Sequence, residues 1–191
     1  MAPVSTKATR EDLAVNPLWA NIFRRKTDEE SIARFLRSVP VFAELRERDF
    51  VLLESLVHLR RYTPQEIVFA EGDPGSGMYV IRCGRVQIFT LGGEEQEEEL
   101  AILGGGDFFG ETTLTAPATR TASARALETT ELIGLFRADL LELAQKQPAL
   151  ANRILLGLTR VVSERLQAAA HEVRRLKAAL ETPQPHPGAD H

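Results

Sequence analysis

The sequence predicts a mainly antiparallel β domain with flanking helices, and three observations support that prediction. The middle of the chain contains short β-like runs separated by glycine-rich turns, which is typical of a sandwich or barrel. Helical periodicity lies on both sides of this region. The length of 191 residues suffices for one well-cored domain with extensions. We therefore expect an antiparallel barrel with short N-terminal helices and one long C-terminal helix.

The N-terminal part predicts a tail followed by two helices. Thr27 and Glu30 form a capping-box pair that opens the first helix, and a second is expected over 47–57. We divide the chain into a tail with a possible docking segment (1–26), the β domain with its N-terminal helices (27–146), a long helix (147–180) and a disordered tail (181–191).

The stretch Asn16–Lys26 is unusual for a tail. Its Trp19, Ile22 and Phe23 can share one side of a helix, and three basic residues follow them. Packing against its own domain or a dimer mate is the favoured interpretation. Docking on another protein or on a membrane surface are the alternatives.

Short strands account for the middle of the chain. An acidic run, Glu94–Glu99, interrupts them and is interpreted as a solvated hairpin tip. The predicted strands are Ile67–Ala70, Met78–Arg82, Val86–Leu91, Leu100–Leu103, Thr121–Ala126 and Glu131–Phe136.

The C-terminal part predicts helices over 137–146 and 148–180, the second with Pro148 in its first turn. Apolar residues recur along this second helix at steps of three and four, as in a heptad seam. The seam residues are Leu155, Leu158, Val162, Leu166, Ala169, Val173, Leu176 and Leu180. Because the half beyond Leu166 extends past the core of a single domain, we expect the seam to form a homodimer interface.

The segment Phe108–Ser123 is the most informative for function. Gly110 allows the backbone to approach a ligand, and amides 111–114 would point at an anion if they open a helix. Arg120, ten residues after Gly110, can add a charge-assisted hydrogen bond to that anion. The negative charge of Glu111 would repel a phosphate, but its carboxylate can accept a hydrogen bond from a sugar hydroxyl. Together these groups fit a ribose cyclic phosphate.

This segment resembles the phosphate-binding cassette of cyclic nucleotide-binding domains, the family of the catabolite activator protein and cyclic-nucleotide-dependent kinases. The run from Met78 to Val86 resembles the strand–turn–strand of the family's β-roll, and the resemblance extends over about 40–166. It implies a jelly-roll-like β-roll that binds a cyclic purine nucleotide through Phe109, Gly110, Glu111, Thr112, Thr113 and Arg120.

Further contacts follow from the same resemblance. Thr121 resembles the residue that contacts guanine in cyclic-GMP-selective kinases, although sensors that prefer cyclic AMP also carry a hydroxyl there. Ser123 could touch phosphate or line the barrel, and Ser163 is a weaker candidate for contact with the base. Thr112 and Thr113 depart from the family pattern: Thr112 would replace a buried anchor of the cassette helix, and Thr113 enlarges a small position.

Composition and motifs argue against other function classes. The net charge of −4 gives no global attraction to nucleic acid, and the residues after Leu180 offer no helix-turn-helix, so we expect no specific DNA binding. None of the four histidines lies in the strand region, which disfavours a metal-dependent barrel enzyme. Kinase and hydrolase motifs are absent, so we expect neither an enzyme nor a cofactor.

Location and role complete the expectation. The single cysteine, Cys83, excludes an internal disulfide, and no signal peptide or run approaching the ~18 apolar residues of a membrane span occurs. We expect a cytoplasmic, homodimeric sensor of cyclic AMP or cyclic GMP that acts through a separate, unidentified protein. The alternative is a ligand-free dimeric interaction module that keeps the fold.

Overall fold

The computed structural model describes residues 32–93 and 96–181. Its helices are α1 (32–36), α2 (Glu47–Leu56), α3 (Arg137–Lys146) and α4 (Pro148–Glu181), with 3₁₀ turns at Pro40–Phe42 and Glu111–Thr113. Its strands are β1 (His58–Tyr62), β2 (Ile67–Phe69), β3 (Pro74–Gly75), β4 (Gly77–Cys83), β5 (Val86–Leu91), β6 (Glu97–Leu103), β7 (Phe108–Phe109), β8 (Ala118–Thr119), β9 (Ser123–Ala126) and β10 (Thr130–Phe136).

Two four-stranded antiparallel sheets build the β domain. Their orders are β1-β10-β4-β7 and β2-β9-β5-β6, and β3 pairs with β8 as a short ribbon. A core between the sheets includes Ile81 and Leu132 from the first and Val86 and Ala124 from the second. This arrangement, with helices at both ends, confirms the predicted fold class.

All six predicted strands are present, and the strands that were not predicted are short or polar. β1 reads His-Leu-Arg-Arg-Tyr, so its sequence lacks an apolar alternation, and its place comes from pairing with the buried β10. The acidic run is partly a correction. Glu97–Glu99 belong to β6 rather than to a hairpin tip. Glu97 accepts a hydrogen bond from Arg125 on β9, and Glu99 accepts one from Gln87 on the adjacent β5.

A second core joins the helices to the first sheet. Close packing of α4 on the Pro40–Phe42 turn requires Gly157, since a Cβ there would lie 2.0 Å from the carbonyl oxygen of Val41. The carboxylate of Asp49 is buried beside Arg153 of α4. Burial by itself would raise the pKa of Asp49, but hydrogen bonds from the Arg46 backbone and from Arg153 hold it below its usual value. These contacts fix the first turns of α4 against the domain.

The outcome for the predicted seam is mixed. Leu158 is buried in the core of its own domain and Leu155 packs against that core, so both are corrected from dimer contacts to intramolecular ones. Beyond Val161, every residue of α4 up to Leu180 is exposed, including Val162 and Leu166 at 41% and 69%. The predicted interface therefore reduces to Val162, Leu166, Ala169, Val173, Leu176 and Leu180.

The capping box at Thr27, the stretch Asn16–Lys26 and residues 182–191 lie outside the described residues. Within 32–93 and 96–181, no helix has the length and apolar character needed to cross a bilayer.

Candidate functional site

A cavity of about 360 Å³ opens beside the Glu111–Thr113 turn. One wall is the turn itself with Gly110, and another is the inner surface of the sheet β2-β9-β5-β6. Arg165 of α4 contributes to the rim. The lining residues are Phe69, Ile88, Ala101, Leu103, Phe108, Phe109, Gly110, Glu111, Thr112, Arg120, Thr121, Ala122 and Arg165. The cavity thus combines an apolar wall with one polar corner.

Gly110 shapes the polar corner. Its φ of +76° is left-handed, and a Cβ there would lie 2.5 Å from Nη1 of Arg120. The following helical turn spans only Glu111–Thr113, and within it the amides of Thr113 and Leu114 donate to Gly110 and Glu111. Because the turn is so short, the amides of Glu111 and Thr112 matter more for an anion than any helix dipole.

Arg120 is the central polar side chain and is only 5% exposed. Its Nη1 donates to the carbonyl oxygens of Gly77 and Gly110 at 2.8 and 3.1 Å and to Oγ1 of Thr113 at 3.0 Å. The guanidinium carbon lies 4.0 Å from the centre of the Phe69 ring. These contacts hold the guanidinium at the polar corner, as the spacing from Gly110 predicted.

The charge of Arg120 is incompletely compensated. Burial lowers the pKa of its guanidinium, and Tyr79, Asp73 and Glu111 oppose that effect only from a distance. In the described part of the chain its hydrogen-bond partners are carbonyls and a hydroxyl, with no carboxylate in contact. A buried cation without an ion-pair partner is costly, and an anion in the cavity would offset that cost.

Thr112 and Thr113 have different places from those expected. Thr112 is exposed at the cavity, so it does not replace a buried anchor; the buried apolar residue of the turn is Leu114. Thr113 is fully buried, and its Oγ1 accepts the bond from Arg120 while lying 3.1 Å from the carbonyl oxygen of Gly110. Thr113 therefore braces Arg120.

Glu111 contacts α4 through Arg165. Nη1 of Arg165 lies 3.2 Å from Oε1 of Glu111, and Nη2 donates to the carbonyl oxygen of Phe108 at 3.0 Å. The guanidinium also lies over the Phe108 ring, 4.0 Å from its centre. Sequence reasoning took Arg165 for surface charge. Arg165 follows Val161 by four residues and Leu158 by seven, so the three residues share one face of the helix. Because Val161 and Leu158 are buried, this spacing indicated that Arg165 faces the domain.

The remaining predicted residues divide into two groups. Phe109 and Thr121 line the cavity, Thr121 as an exposed residue at its edge. Ser123 does not line it; this buried side chain accepts a hydrogen bond from the amide of Glu71 at 2.9 Å and is structural. Ser163 is exposed on α4 and is also absent from the lining. Ser123 is thereby corrected to a structural residue, whereas contact of Ser163 with the base stays a prediction.

The apolar wall was not predicted residue by residue. Ile88, Ala101 and Leu103 point into the cavity from β5 and β6, and Phe69 from β2. Their alternation in the strands was visible in the sequence. The sheet order that brings them opposite the Glu111–Thr113 turn was not, because it depends on pairings between distant strands.

Comparison with known proteins agrees with this geometry. Residues 59–147 match the cyclic nucleotide-binding domain family. This part of the chain belongs to that family.

The cyclic AMP receptor protein of Thermus thermophilus is 37% identical over 131 residues, which cover 68% of this chain and 60% of that protein. A cAMP-dependent protein kinase regulatory subunit of Pyricularia oryzae is 32% identical over 115 residues, or 56% of this chain and 29% of the subunit. The chain therefore spans less than two thirds of these cyclic nucleotide-binding relatives.

Solved structures agree with the family assignment. The crystal structure of the Thermus thermophilus catabolite activator protein has a TM-score of 0.64 at 35% identity and covers 72% of this chain and 63% of that one. A cyclic nucleotide-binding domain from Methylobacillus flagellatus has a TM-score of 0.68 at 21% identity, covering 83% and 86%, and shares the fold. The predicted resemblance and the β-roll fold are confirmed.

Proposed function

We propose that this chain is a regulatory sensor that binds a purine cyclic mononucleotide, cyclic AMP ahead of cyclic GMP, beside the Glu111–Thr113 turn. The observation that carries the proposal is the buried guanidinium of Arg120, which has no carboxylate in contact within the described residues. A cyclic phosphate carries one negative charge and would complete that pairing. The triphosphate of ATP would require a metal or several more basic groups.

The rest of the cavity suits the other parts of such a ligand. Glu111 offers a carboxylate acceptor for the ribose 2′-hydroxyl and disfavours additional phosphates. Ile88, Ala101 and Leu103 offer an apolar surface for a purine ring, which binds through its faces without a fixed hydrogen-bond pattern. Thr121 at the edge is the candidate for distinguishing guanine from adenine.

Signalling would run through the Glu111–Arg165 contact. A ribose hydroxyl on Glu111 changes the environment of the carboxylate that Arg165 now contacts. The ligand therefore favours one position of α4 over another, which is a population shift that requires only a difference in affinity between the two positions. Such a population shift requires no catalytic step, in keeping with relatives named as a receptor and a regulatory subunit.

The output would pass through a homodimer to a separate protein. The exposed apolar residues of α4 from Val162 to Leu180 form a stripe whose burial needs a second helix, and a second copy provides an identical one. The ligand-free alternative relied on a loosened cassette at Thr112 and Thr113. Thr112 is exposed and Thr113 braces Arg120, so neither residue favours that alternative.

Calorimetric titration tests the proposal. Wild-type protein is titrated with cyclic AMP, cyclic GMP, 2′-deoxy cyclic AMP and ATP, and we expect binding of the two cyclic ribonucleotides only. The Glu111→Gln variant should bind more weakly and lose discrimination against the deoxy analogue. Glu128→Gln, a change at a surface ion pair with Arg85, is the matched control. Absence of binding at millimolar concentration would restore the ligand-free interaction module.

A further inference from the structure

The hydroxyl of Thr113 is fully buried at the polar corner and is held in one direction by its partners. Its Oγ1 accepts a hydrogen bond from Nη1 of Arg120 at 3.0 Å. The same oxygen lies 3.1 Å from the carbonyl oxygen of Gly110 and 3.3 Å from that of Gly77. A hydroxyl has one proton, and here that proton goes to a carbonyl. Its lone pairs are therefore left to receive the guanidinium.

Within the described residues, the hydrogen bonds of Arg120 come from Nη1 alone. A guanidinium carries five N–H groups in one plane, two on each Nη and one on Nε. The two groups on Nη1 meet three oxygens, so this nitrogen is fully engaged by the protein. The edge formed by Nε and Nη2 keeps three N–H groups, which can form two parallel hydrogen bonds to an anion.

The backbone around Thr113 keeps its side chain in place. Gly75 of β3 lies directly against it, since a Cβ on Gly75 would come within 2.3 Å of the Thr113 methyl carbon. Arg137, the first residue of α3, donates from Nη1 to the carbonyl oxygen of Thr113 at 2.9 Å. The side chain is thus confined by β3 and the backbone is tied to α3. Thr113 cannot turn away from Arg120 without disturbing both contacts.

Phe69 restrains the same guanidinium in a different way. The guanidinium carbon lies 4.0 Å from the centre of the Phe69 ring. Stacking against a ring limits tilting of the group but leaves it free to turn within its own plane. The oxygens around Nη1 oppose that turning, and the hydroxyl of Thr113 is the side-chain contribution to them.

We propose that Thr113 is a positioning residue for the nucleotide: its hydroxyl turns Nη1 of Arg120 towards the protein and presents the edge formed by Nε and Nη2 to the phosphate. This role rests on the proposed function, because it requires that Arg120 binds the cyclic phosphate. That phosphate has two exocyclic oxygens. With the edge fixed, one of them faces Arg120 and the other is left to the amides of the Glu111–Thr113 turn, so the site distinguishes the two oxygens.

Two substitutions separate the hydroxyl of Thr113 from its shape. Thr113→Val keeps the branched shape and removes the hydroxyl, whereas Thr113→Ser keeps the hydroxyl and removes the methyl group beside Gly75. In calorimetric titration with cyclic AMP, we expect Thr113→Val to bind about tenfold more weakly and Thr113→Ser to stay within about threefold of wild type.

Thr130→Val is the matched control. Thr130 is also fully buried, and its hydroxyl bonds the backbone carbonyls of Arg85 and Glu128 away from the cavity. Its affinity for cyclic AMP should be unchanged. If Thr113→Val fails to fold, as judged by circular dichroism, Thr113→Ala replaces it in the comparison with Thr113→Ser, since alanine and serine differ by the hydroxyl alone.

The two diastereomers of cyclic AMP phosphorothioate report the orientation itself. In each of them sulfur, a weak hydrogen-bond acceptor, replaces one of the exocyclic oxygens. Wild type should prefer one diastereomer by at least about tenfold, and Thr113→Val should lower that preference to less than about threefold. A loss of stability alone would weaken both diastereomers equally and leave their ratio unchanged.

Three results would overturn this role for Thr113. Equal affinity of Thr113→Val and wild type would show that the hydroxyl is not needed. Weaker binding by Thr113→Ser than by Thr113→Val would show that the side chain only fills space. A diastereomer ratio that Thr113→Val leaves unchanged would show a purely structural effect. In all three cases wild type still binds and the proposed function stands, whereas a wild-type chain that binds neither cyclic AMP nor cyclic GMP refutes both.

Discussion

Replacement of Arg120 by alanine should nearly abolish nucleotide binding while leaving the fold largely intact. The variant loses the hydrogen bonds that the two N–H groups of Nη1 share among three acceptors, worth about 1 kcal/mol each, but it also removes a buried charge whose desolvation costs several kcal/mol. We therefore expect a change in unfolding free energy within about 2 kcal/mol. Loss of the charge-assisted bond to the phosphate should cost about 2–5 kcal/mol of binding, at least about 30-fold in affinity.

The assay combines calorimetric titration with thermal unfolding in the absence and presence of cyclic AMP. Arg120→Lys should recover only part of the affinity, because an ammonium cannot contact the supporting carbonyls and a phosphate as a guanidinium does. Arg125→Ala is the matched control, since that arginine contacts Gln87 and Glu97 and does not line the cavity. Affinity of Arg120→Ala within about threefold of wild type would refute the assignment of Arg120 as the phosphate ligand.

Three other predictions concern the helix, the packing and the base. Leu166→Glu with Val173→Glu should convert the proposed dimer to a monomer by placing charges in the seam; a light-scattering mass that stays dimeric contradicts the proposed interface. Gly157→Ala should destabilise the fold by about 1–3 kcal/mol in denaturant unfolding because its Cβ has no room, whereas Gly104→Ala, which meets no atom within 4 Å, should be near neutral. Thr121→Ala should weaken cyclic GMP and spare cyclic AMP in competition binding, and equal losses for both would exclude a role in base selection.

The fold and the polar corner could be predicted because their signals are local. Glycine-rich turns between short apolar runs indicate an antiparallel β domain in any context. The ten-residue spacing of Gly110 and Arg120 reflects a turn and a short ribbon, and the structure places Nη1 of Arg120 3.1 Å from the carbonyl oxygen of Gly110. The nucleotide roles of Gly110, Glu111 and Arg120 remain predictions.

The parts that were wrong depend on tertiary context. Leu158 and Leu166 occupy equivalent positions in an apolar repeat, yet the first is 5% exposed and the second 69%. Periodicity identifies a stripe but not where the domain beneath it ends. Ser163 and Arg165 also show that the sequence pattern of a helix does not tell which of its residues face the domain. Two residues along a helix rotate the side chain by about 200°, so a small error in alignment exchanges an exposed serine for the arginine at the cavity.

The position of Arg165 indicates how the proposed ligand at Glu111 would influence α4. Leu158 and Val161 fix the first part of the helix in the core of its own domain, and no described residue between Val162 and Leu180 is buried. Arg165 lies just past this boundary and bonds both Glu111 and the carbonyl oxygen of Phe108. The side chain of Arg165 is 42% exposed and that of Glu111 15%, and a partly exposed pair of this kind is worth about 1 kcal/mol, so a change at Glu111 of similar size is enough to alter it. Beyond that point α4 continues as one unbroken helix from its anchored first turns, and the contacts of Arg165 link it additionally to the Glu111–Thr113 turn.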